Sequence, residues 1–287
     1  MAPLDGSSGL AVTVRPGEHA CCHFRDAGDR ERFAVAFVRA ALGRGDKVVY
    51  LFDGDDAAGA RSRLERADAG FRPAMARGQF ETQPSREAYL PDGQFDPERM
   101  LATLREKHDR ARAEGYPGFS VAGEMPAAVC EAGGGGELVG TYEALIASEI
   151  DGDSFSILCQ YDPSLLRPRL LSRVIEAHEV DASPELAPVG RDGRLAAVHD
   201  RGRGVLRLAG ELDFGSAQAV SETLAHFGGH VPLDLADLSY VDVTGMRALR
   251  GRNGQRLTIS PPSGAVRRLA ALLGWDTDPA IELLDSR

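Results

Sequence analysis

Three short apolar runs in the first 180 residues each close on a carboxylate, and each stands between helical stretches. They are KVVYLFD, ending at Asp53, FSVAGEM, which carries Glu124, and FSILCQYD, ending at Asp162. Runs of this length, rich in β-branched and aromatic residues, fit buried strands. Between them lie DRERFAVAFVRAAL, AAGARSRLERAD, PERMLATLREKHDRARAEG, ELVGTYEALIASEI and SLLRPRLLSRVIEAHE, which read as helices. GQFETQPS adds a shorter strand-like piece, residues 1–16 read as a flexible lead, and Gly133 to Gly136 read as a loop. Alternation of this kind predicts a parallel sheet with helices on both faces. Functional residues in such sheets gather at the C-terminal ends of the strands, where Asp53, Glu124 and Asp162 fall.

The pattern changes after EVDASPELAPVG, a stretch rich in proline, acidic and small residues that reads as a linker. Beyond it, RLAAVHDRGRGVLRLAGELDF predicts a hairpin turning at 200–204. A helix (SAQAVSETLAHFG), a strand (VPLDLADL), a turn and helix (SYVDVTGMRALRGR), a strand (RLTISP), a helix (GAVRRLAALLG) and a last strand (AIELL) follow. This is the order of a small mixed-sheet α/β domain. The expected division is therefore 15–180, a linker at 181–190, and 191–287.

Composition narrows the function classes. The net charge is −10, and acidic and basic residues balance from Val189 onward, so the whole excess sits in residues 1–188. A nucleic-acid binder would show a basic face instead, so no direct nucleic-acid partner is expected. The start lacks the basic and apolar segments of a signal peptide, and no apolar run is long enough to span a bilayer. A cytoplasmic protein without a membrane partner is the expectation. Cys21, Cys22, Cys130 and Cys159 form no CxxC pair, so reduced thiols are expected.

GELDFGSAQAV, LDLADLSYVDVTGMRAL and GAVRRLAALLGWD, in that order and spacing, resemble the STAS family, which includes bacterial anti-sigma-factor antagonists. The resemblance covers about 195–287. It implies a phosphorylatable switch residue at Thr244, before Gly245, and a partner surface of Asp213, Asp242, Gly245 and Met246. The partner it implies is an anti-sigma factor of the serine/threonine kinase type. Thr244 is expected in a tight turn opening a helix over 245–251, where it could equally act as an N-cap. A phosphate there would add roughly −1.5 to −2 charge beside Asp242. Asp213 and Asp242 could orient a kinase or cap helices.

GEHACCHF, KVVYLFD, EAYLPDGQFDPERM, EGYPGFSVAGEM, the YE of TYEAL, and ILCQYD with the later HE resemble the MEDS domain, a sensory domain named for regulators of methanogens and methylotrophs. The resemblance spans about 15–180 and implies a degenerate RecA- or KaiC-like core. One departure is PAAV after GEM, where relatives carry an aromatic residue. No GxxxxGK[ST] occurs in the chain, so the backbone cradle and lysine that hold ATP phosphates are missing and no ATP hydrolysis is expected.

His19, Cys22, Glu124, Cys159, Tyr161 and His178 stand as candidates for a ligand pocket. His19, Glu124 and Cys159 are expected to converge at the C-terminal edge of one sheet. His, Cys and Glu can also hold a transition metal, but their spacing matches no compact motif, so neither metal nor cofactor is expected. The plainer alternative makes His19 and His178 hydrogen-bonded structural residues and Cys159 a core thiol. Tyr89 and Tyr142 read as packing residues. The whole chain reads as a bacterial signalling regulator, not an enzyme: a MEDS-like half that senses a ligand or docks a partner, and a STAS half that passes the state to a kinase. A small-molecule ligand and a homo-oligomer are both compatible with it. The rivals are a nucleotide-binding RecA-like enzyme and a non-catalytic scaffold.

Overall fold

The computed structural model describes residues 14–24, 26–54, 56–131, 135–150, 154–181, 195–201, 203–225, 227–250, 255–260 and 262–284. The predicted lead (apart from 14–16), residues 133–134 of the predicted loop, and 182–190 of the predicted linker lie outside them. The chain divides into two compact units, Thr13–Asp181 and a second that contains Ala182–Arg287.

The first unit runs β1 (His19–His23), α1 (Ala27–Arg44), β2 (Lys47–Phe52), α2 (Ala57–Ala67), α3 (Phe71–Ala76), β3 (Phe80–Pro84), α4 (Ser85–Tyr89), α5 (Pro97–Ala113), β4 (Phe119–Glu124), α6 (Ala127–Glu131), α7 (Gly135–Glu149), β5 (Phe155–Tyr161), α8 (Pro168–Ala177) and β6 (Val180–Asp181). Its strands form the order β6-β1-β5-β4-β2-β3, and every pairing among them is parallel. The predicted α/β class holds: a parallel sheet with helices on both faces.

Alternation along the strands sorts the core. Cys21, Val49, Leu51, Val121, Ile157 and Cys159 face one side and pack with Met100, Leu104, Val139, Tyr142, Ile146 and Val174 from α5, α7 and α8. Their neighbours Ala20, Cys22, Val48, Tyr50, Ala122 and Leu158 are also buried and point to the opposite face. Gly123 is needed where β4 passes Tyr89, because a Cβ there would sit 2.7 Å from the tyrosine hydroxyl.

Two strands differ from the sequence reading. HACCH carries no element in that reading, yet it forms β1, which lies between β5 and β6. Asp181, predicted as the first linker residue, pairs with Cys21 and ends β6.

The second unit runs β7 (Leu195–Asp200), β8 (Val205–Leu212), α9 (Ala217–Ala225), β9 (His230–Asp234), β10 (Leu238–Val241), α10 (Val243–Leu249), β11 (Arg256–Ser260), α11 (Gly264–Leu272) and β12 (Ile281–Leu283). The predicted hairpin is β7–β8, the antiparallel pair. The remaining pairings are parallel, in the order β12-β11-β9-β8, with β10 on the far half of β8. β10 occupies the start of the SYVDVTGMRALRGR stretch, where the sequence predicts a turn into the helix. The core holds Leu206, Leu208, Leu233, Met246, Leu249, Ile259, Val266 and Trp275, with Trp275 only 2% exposed. Fully burying side chains of this kind contributes about 1.5–3 kcal/mol each.

That core is closed by the unit's own elements, so a fragment starting within 181–190 should fold alone. It should be soluble and melt cooperatively by circular dichroism. A molten or aggregated fragment would refute the boundary we propose there.

Candidate functional site

The first unit buries a carboxylate among two imidazoles, a thiol and a phenol. β1 supplies His19 and β5 supplies Cys159 and Tyr161 on the same sheet face. The register Cys21↔Cys159 and Cys22↔Gln160 sets that face. α7 crosses above with Val139, Tyr142, Glu143 and Ile146 turned inward, the spacing of one helical stripe. α8 ends at His178, its C-cap. Glu143 and Cys159 are no more than 1% exposed, and His19 and His178 no more than 3%.

Glu143 is the hub. Its Oε2 lies 3.0 Å from His19 Nε2 and 3.1 Å from His178 Nε2. Cys159 Sγ lies 3.7 Å from the same oxygen and 3.5 Å from His19 Nε2. Tyr161 donates its hydroxyl to Glu143 Oε1. The two imidazole rings lie 4.0 Å apart at a tilt of 42°. His178 Nδ1 sits 2.6 Å from the Val174 carbonyl, which can only accept. Nδ1 therefore carries the ring proton on that side, leaving Nε2 turned to the cluster. His178 Nε2 has no hydrogen bond despite its approach to Glu143, and His19 Nδ1 has none either.

A carboxylate taken out of water is unstable unless paired. Burial works to raise the Glu143 pKa, but the charge and contacts of His178, then those of His19, hold it well below the ordinary range. Burial works to lower the His178 pKa, and negative charge on its neighbours drives it well up instead. The Cys21 thiol is itself raised by burial, so Glu143 is the charge that counts near neutrality. His19 goes to about 4, through burial and then the nearby His178. Burial and Glu143 push the Cys159 thiol to about 12.

The six predicted pocket residues do not form one site. His19, Cys159, Tyr161 and His178 come together around Glu143. Cys22 and Glu124 do not join them, because β-strand side chains alternate. Cys22 pairs in register with Gln160, and so does Glu124. Both therefore point to the other face of the sheet, so the expected convergence of His19, Glu124 and Cys159 is corrected. The cluster is enclosed beneath α7 and α8 rather than open at the strand ends. Tyr142 packs edge-on against Tyr89 at 5.8 Å.

Glu124 belongs to a second place, a cleft of about 310 Å³ where β2 and β4 end. Tyr50 donates its hydroxyl to Glu124, the Asp53 amide donates at 2.8 Å, and Arg30 lies 3.3 Å away. Burial raises the Glu124 pKa against these partners. Phe52, Arg63 and Leu64 also line it. Asp162, the third carboxylate at a strand end, caps a 3-10 turn by accepting from the Ser164 amide at 2.8 Å.

In the second unit, Thr244 is exposed as the second residue of α10, which starts two residues earlier than predicted. Asp242, not Thr244, is the N-cap: its Oδ1 accepts from Gly245 N at 2.7 Å. Asp242 Oδ2 also accepts from Phe214 N at 3.3 Å, which ties the turn after β8 to α10. Gly245 is required because a Cβ would lie 2.2 Å from the Leu212 carbonyl oxygen. Asp213 and Ser216 lock the turn reciprocally, at 2.9 Å and 3.1 Å.

Two of the four predicted surface residues are corrected. Gly245 and Met246 are buried, and Met246 belongs to the core, because that side of a short helix must face the sheet. Exposed apolar residues stand on the two segments joined at Asp242: Phe214 (80%) after β8, and Tyr240 (54%) and Val243 (39%) just before Thr244 in sequence. The sequence reading passed over Phe214 and Tyr240. An aromatic inside the turn sequence LDFGS was the available signal.

Residues 18–179 match the family model MEDS, described as the methanogen/methylotroph, DcmR sensory domain. Residues 195–285 match a second model, described as Mlab, STAS domain. No curated protein matches. Among solved structures, the chain is similar to a KaiC-like protein from the hyperthermophilic archaeon Pyrococcus horikoshii OT3. Identity is 12%, with 58% of this chain and 72% of that one covered, at a TM-score of 0.37. It is also similar to the flagellar accessory protein FlaH from Methanocaldococcus jannaschii. There the identity is 9%, the coverage 59% and 72%, and the TM-score 0.38.

Proposed function

The chain belongs to the MEDS family and carries a STAS domain behind that sensory domain, and from this premise we propose a bacterial, cytoplasmic partner-switching regulator. In this reading the first unit senses a small molecule or docks a partner. The second unit is an anti-sigma-factor antagonist whose Thr244 is phosphorylated by an anti-sigma kinase. Both domains are of regulatory rather than enzymatic kinds. No helix among the described residues is long and apolar enough to cross a membrane.

One observation supports the switch: an exposed hydroxyl at the start of a helix whose cap, Asp242, also holds the Phe214 amide at 3.3 Å, with Phe214, Tyr240 and Val243 exposed on the segments that flank that cap. Single exposed apolar residues are ordinary; we read three on adjoining segments as a docking surface. Phosphate on Thr244 would put roughly −1.5 to −2 charge into that surface. A partner covering it would have to desolvate the charge, so the complex would open while the fold persists. For the first unit, the Glu124 cleft supports ligand binding, because it lies at the C-terminal ends of parallel strands. Its mixture of Arg30, Asp53, Glu124 and the Tyr50 and Phe52 rings suits a small polar molecule with an apolar part.

A pull-down from the native cell tests the reading, with the full chain as bait in wild-type, Thr244→Ala and Thr244→Asp forms. An anti-sigma-type kinase should come down with the first two and be depleted about tenfold with the third. Mass spectrometry after incubation with that kinase and ATP should find phosphate on Thr244. Equal recovery on all three baits, with Thr244 unmodified, would leave a scaffold without a switch.

A further inference from the structure

We propose that His19, Glu143, Cys159 and His178 form a buried binding site for a divalent transition metal of the zinc class, a site the sequence spacing gave no reason to expect. The inference goes beyond the signalling reading and does not depend on it. Each residue offers one ligand atom, and the four atoms lie within 4.8 Å of one another. Two imidazole nitrogens, a thiolate and a carboxylate oxygen are a donor set zinc accepts, and four donors complete a tetrahedral structural site.

The distances lie near that geometry, two within its range and two about 0.2–0.3 Å short of it, with all six donor pairs inside 4.8 Å. Zinc bonds of about 2.0–2.3 Å place tetrahedral donors roughly 3.3–3.7 Å apart. Here four donor pairs are separated by 3.0, 3.1, 3.5 and 3.7 Å. Four polar groups held this close in a dry core are otherwise unfavourable neighbours, apart from the carboxylate–imidazole contacts.

The surroundings fit as well. His178 is oriented by its Nδ1 contact to the Val174 carbonyl, leaving Nε2 aimed into the cluster, 3.1 Å from Glu143 Oε2. Metal-bound histidines are commonly fixed in this way through the other nitrogen. Tyr161 holds the second oxygen of Glu143, leaving Oε2 for the ion. Charge also balances: a divalent cation, one thiolate, one carboxylate and two neutral imidazoles sum to zero. A neutral assembly is what a fully buried site tolerates. Loading displaces the protons of the Cys159 thiol and of the His178 Nε2, which leave to solvent.

The test uses the full chain, purified from zinc-supplemented medium and passed through a weak chelator. Elemental analysis should find about one zinc per chain. Reconstitution with Co²⁺ under reducing, anaerobic conditions should give visible bands of tetrahedral cobalt and a near-ultraviolet thiolate-to-cobalt band. Cys159→Ser should abolish the thiolate band, and His178→Gln should lower the bound metal at least tenfold. Added Zn²⁺ should raise the melting temperature of wild type by about 5 °C or more and leave the Cys159→Ser melt unchanged. Wild-type spectra and melts decide the matter even if a variant misfolds. Wild type with no retained zinc, no cobalt bands and no thermal shift overturns the site. So does a thiolate band that survives Cys159→Ser, which would place the metal on another cysteine.

Discussion

Glu143→Ala, measured with a strong chelator present, is expected to destabilise the first unit by about 3–5 kcal/mol. The carboxylate has no access to water and is shared by His19, His178, Cys159 and Tyr161. Removing it strands the His178 charge, which Glu143 sustains, and leaves the Tyr161 hydroxyl without its acceptor. Each loss adds desolvation without compensation, and the side-chain cavity adds more. Glu143→Gln keeps an acceptor for Tyr161 but not the charge, so a smaller loss is expected. The exposed pair Arg99–Asp92 is the contrast: a 2.5 Å contact in water contributes little, so Arg99→Ala should fall within about 0.5 kcal/mol of wild type. Urea denaturation followed by circular dichroism reads all three. Trp275 sits in the second unit's core, and its fluorescence midpoint should stay where it is. A Glu143→Ala loss no larger than that of Arg99→Ala would mean the cluster contributes nothing to the fold.

Glu143 also shows where sequence reasoning stopped. The strands around it were legible because KVVYLFD, FSVAGEM and FSILCQYD are continuous apolar runs, and a strand buried on both faces has no polar side to blur the pattern. HACCH was not legible as a strand. His19, Cys21 and Cys22 are buried by partners distant in sequence, and a local window does not contain them. The same local view grouped His19 with Cys22 and Glu124. Once β1 is known to be a strand, the period of two separates His19 from Cys22, and the β4–β5 register sends Glu124 with Gln160 to the opposite face. A signal for Glu143 was present. Val139, Tyr142, Glu143 and Ile146 share one helical stripe, and an acid on an apolar stripe needs a buried partner. In the second unit the motif around Thr244 was readable in order and spacing. Which of its residues face solvent was not: Met246 looks like a docking residue in sequence and is a core residue in space.

The second large effect concerns that surface. Phe214→Ala should weaken binding of the anti-sigma-type partner by at least about 30-fold, while shifting the melting temperature of the chain hardly at all. A side chain left 80% exposed buries little within the fold, so truncating it removes little folding free energy. Covered by a partner, the same ring loses its water, and aromatic anchors of this kind account for about 2 kcal/mol or more in an interface. Tyr240→Ala should act in the same direction with a smaller effect, since that ring is already half covered. Thr244→Ala should bind within a few-fold of wild type, because it removes only a methyl and a hydroxyl and adds no charge. Thr244→Asp should lose affinity without losing stability. Asp242 already caps α10 and is tied to the Phe214 amide, so the fold has no use for a second carboxylate, and a covering partner must strip it of water. The affinity series against one purified partner, run beside melting curves, separates docking from folding. If Phe214→Ala binds as wild type while Thr244→Asp fails, the charge acts at a surface other than the one centred on the ring. If every variant binds equally, the exposed patch is not where the partner sits.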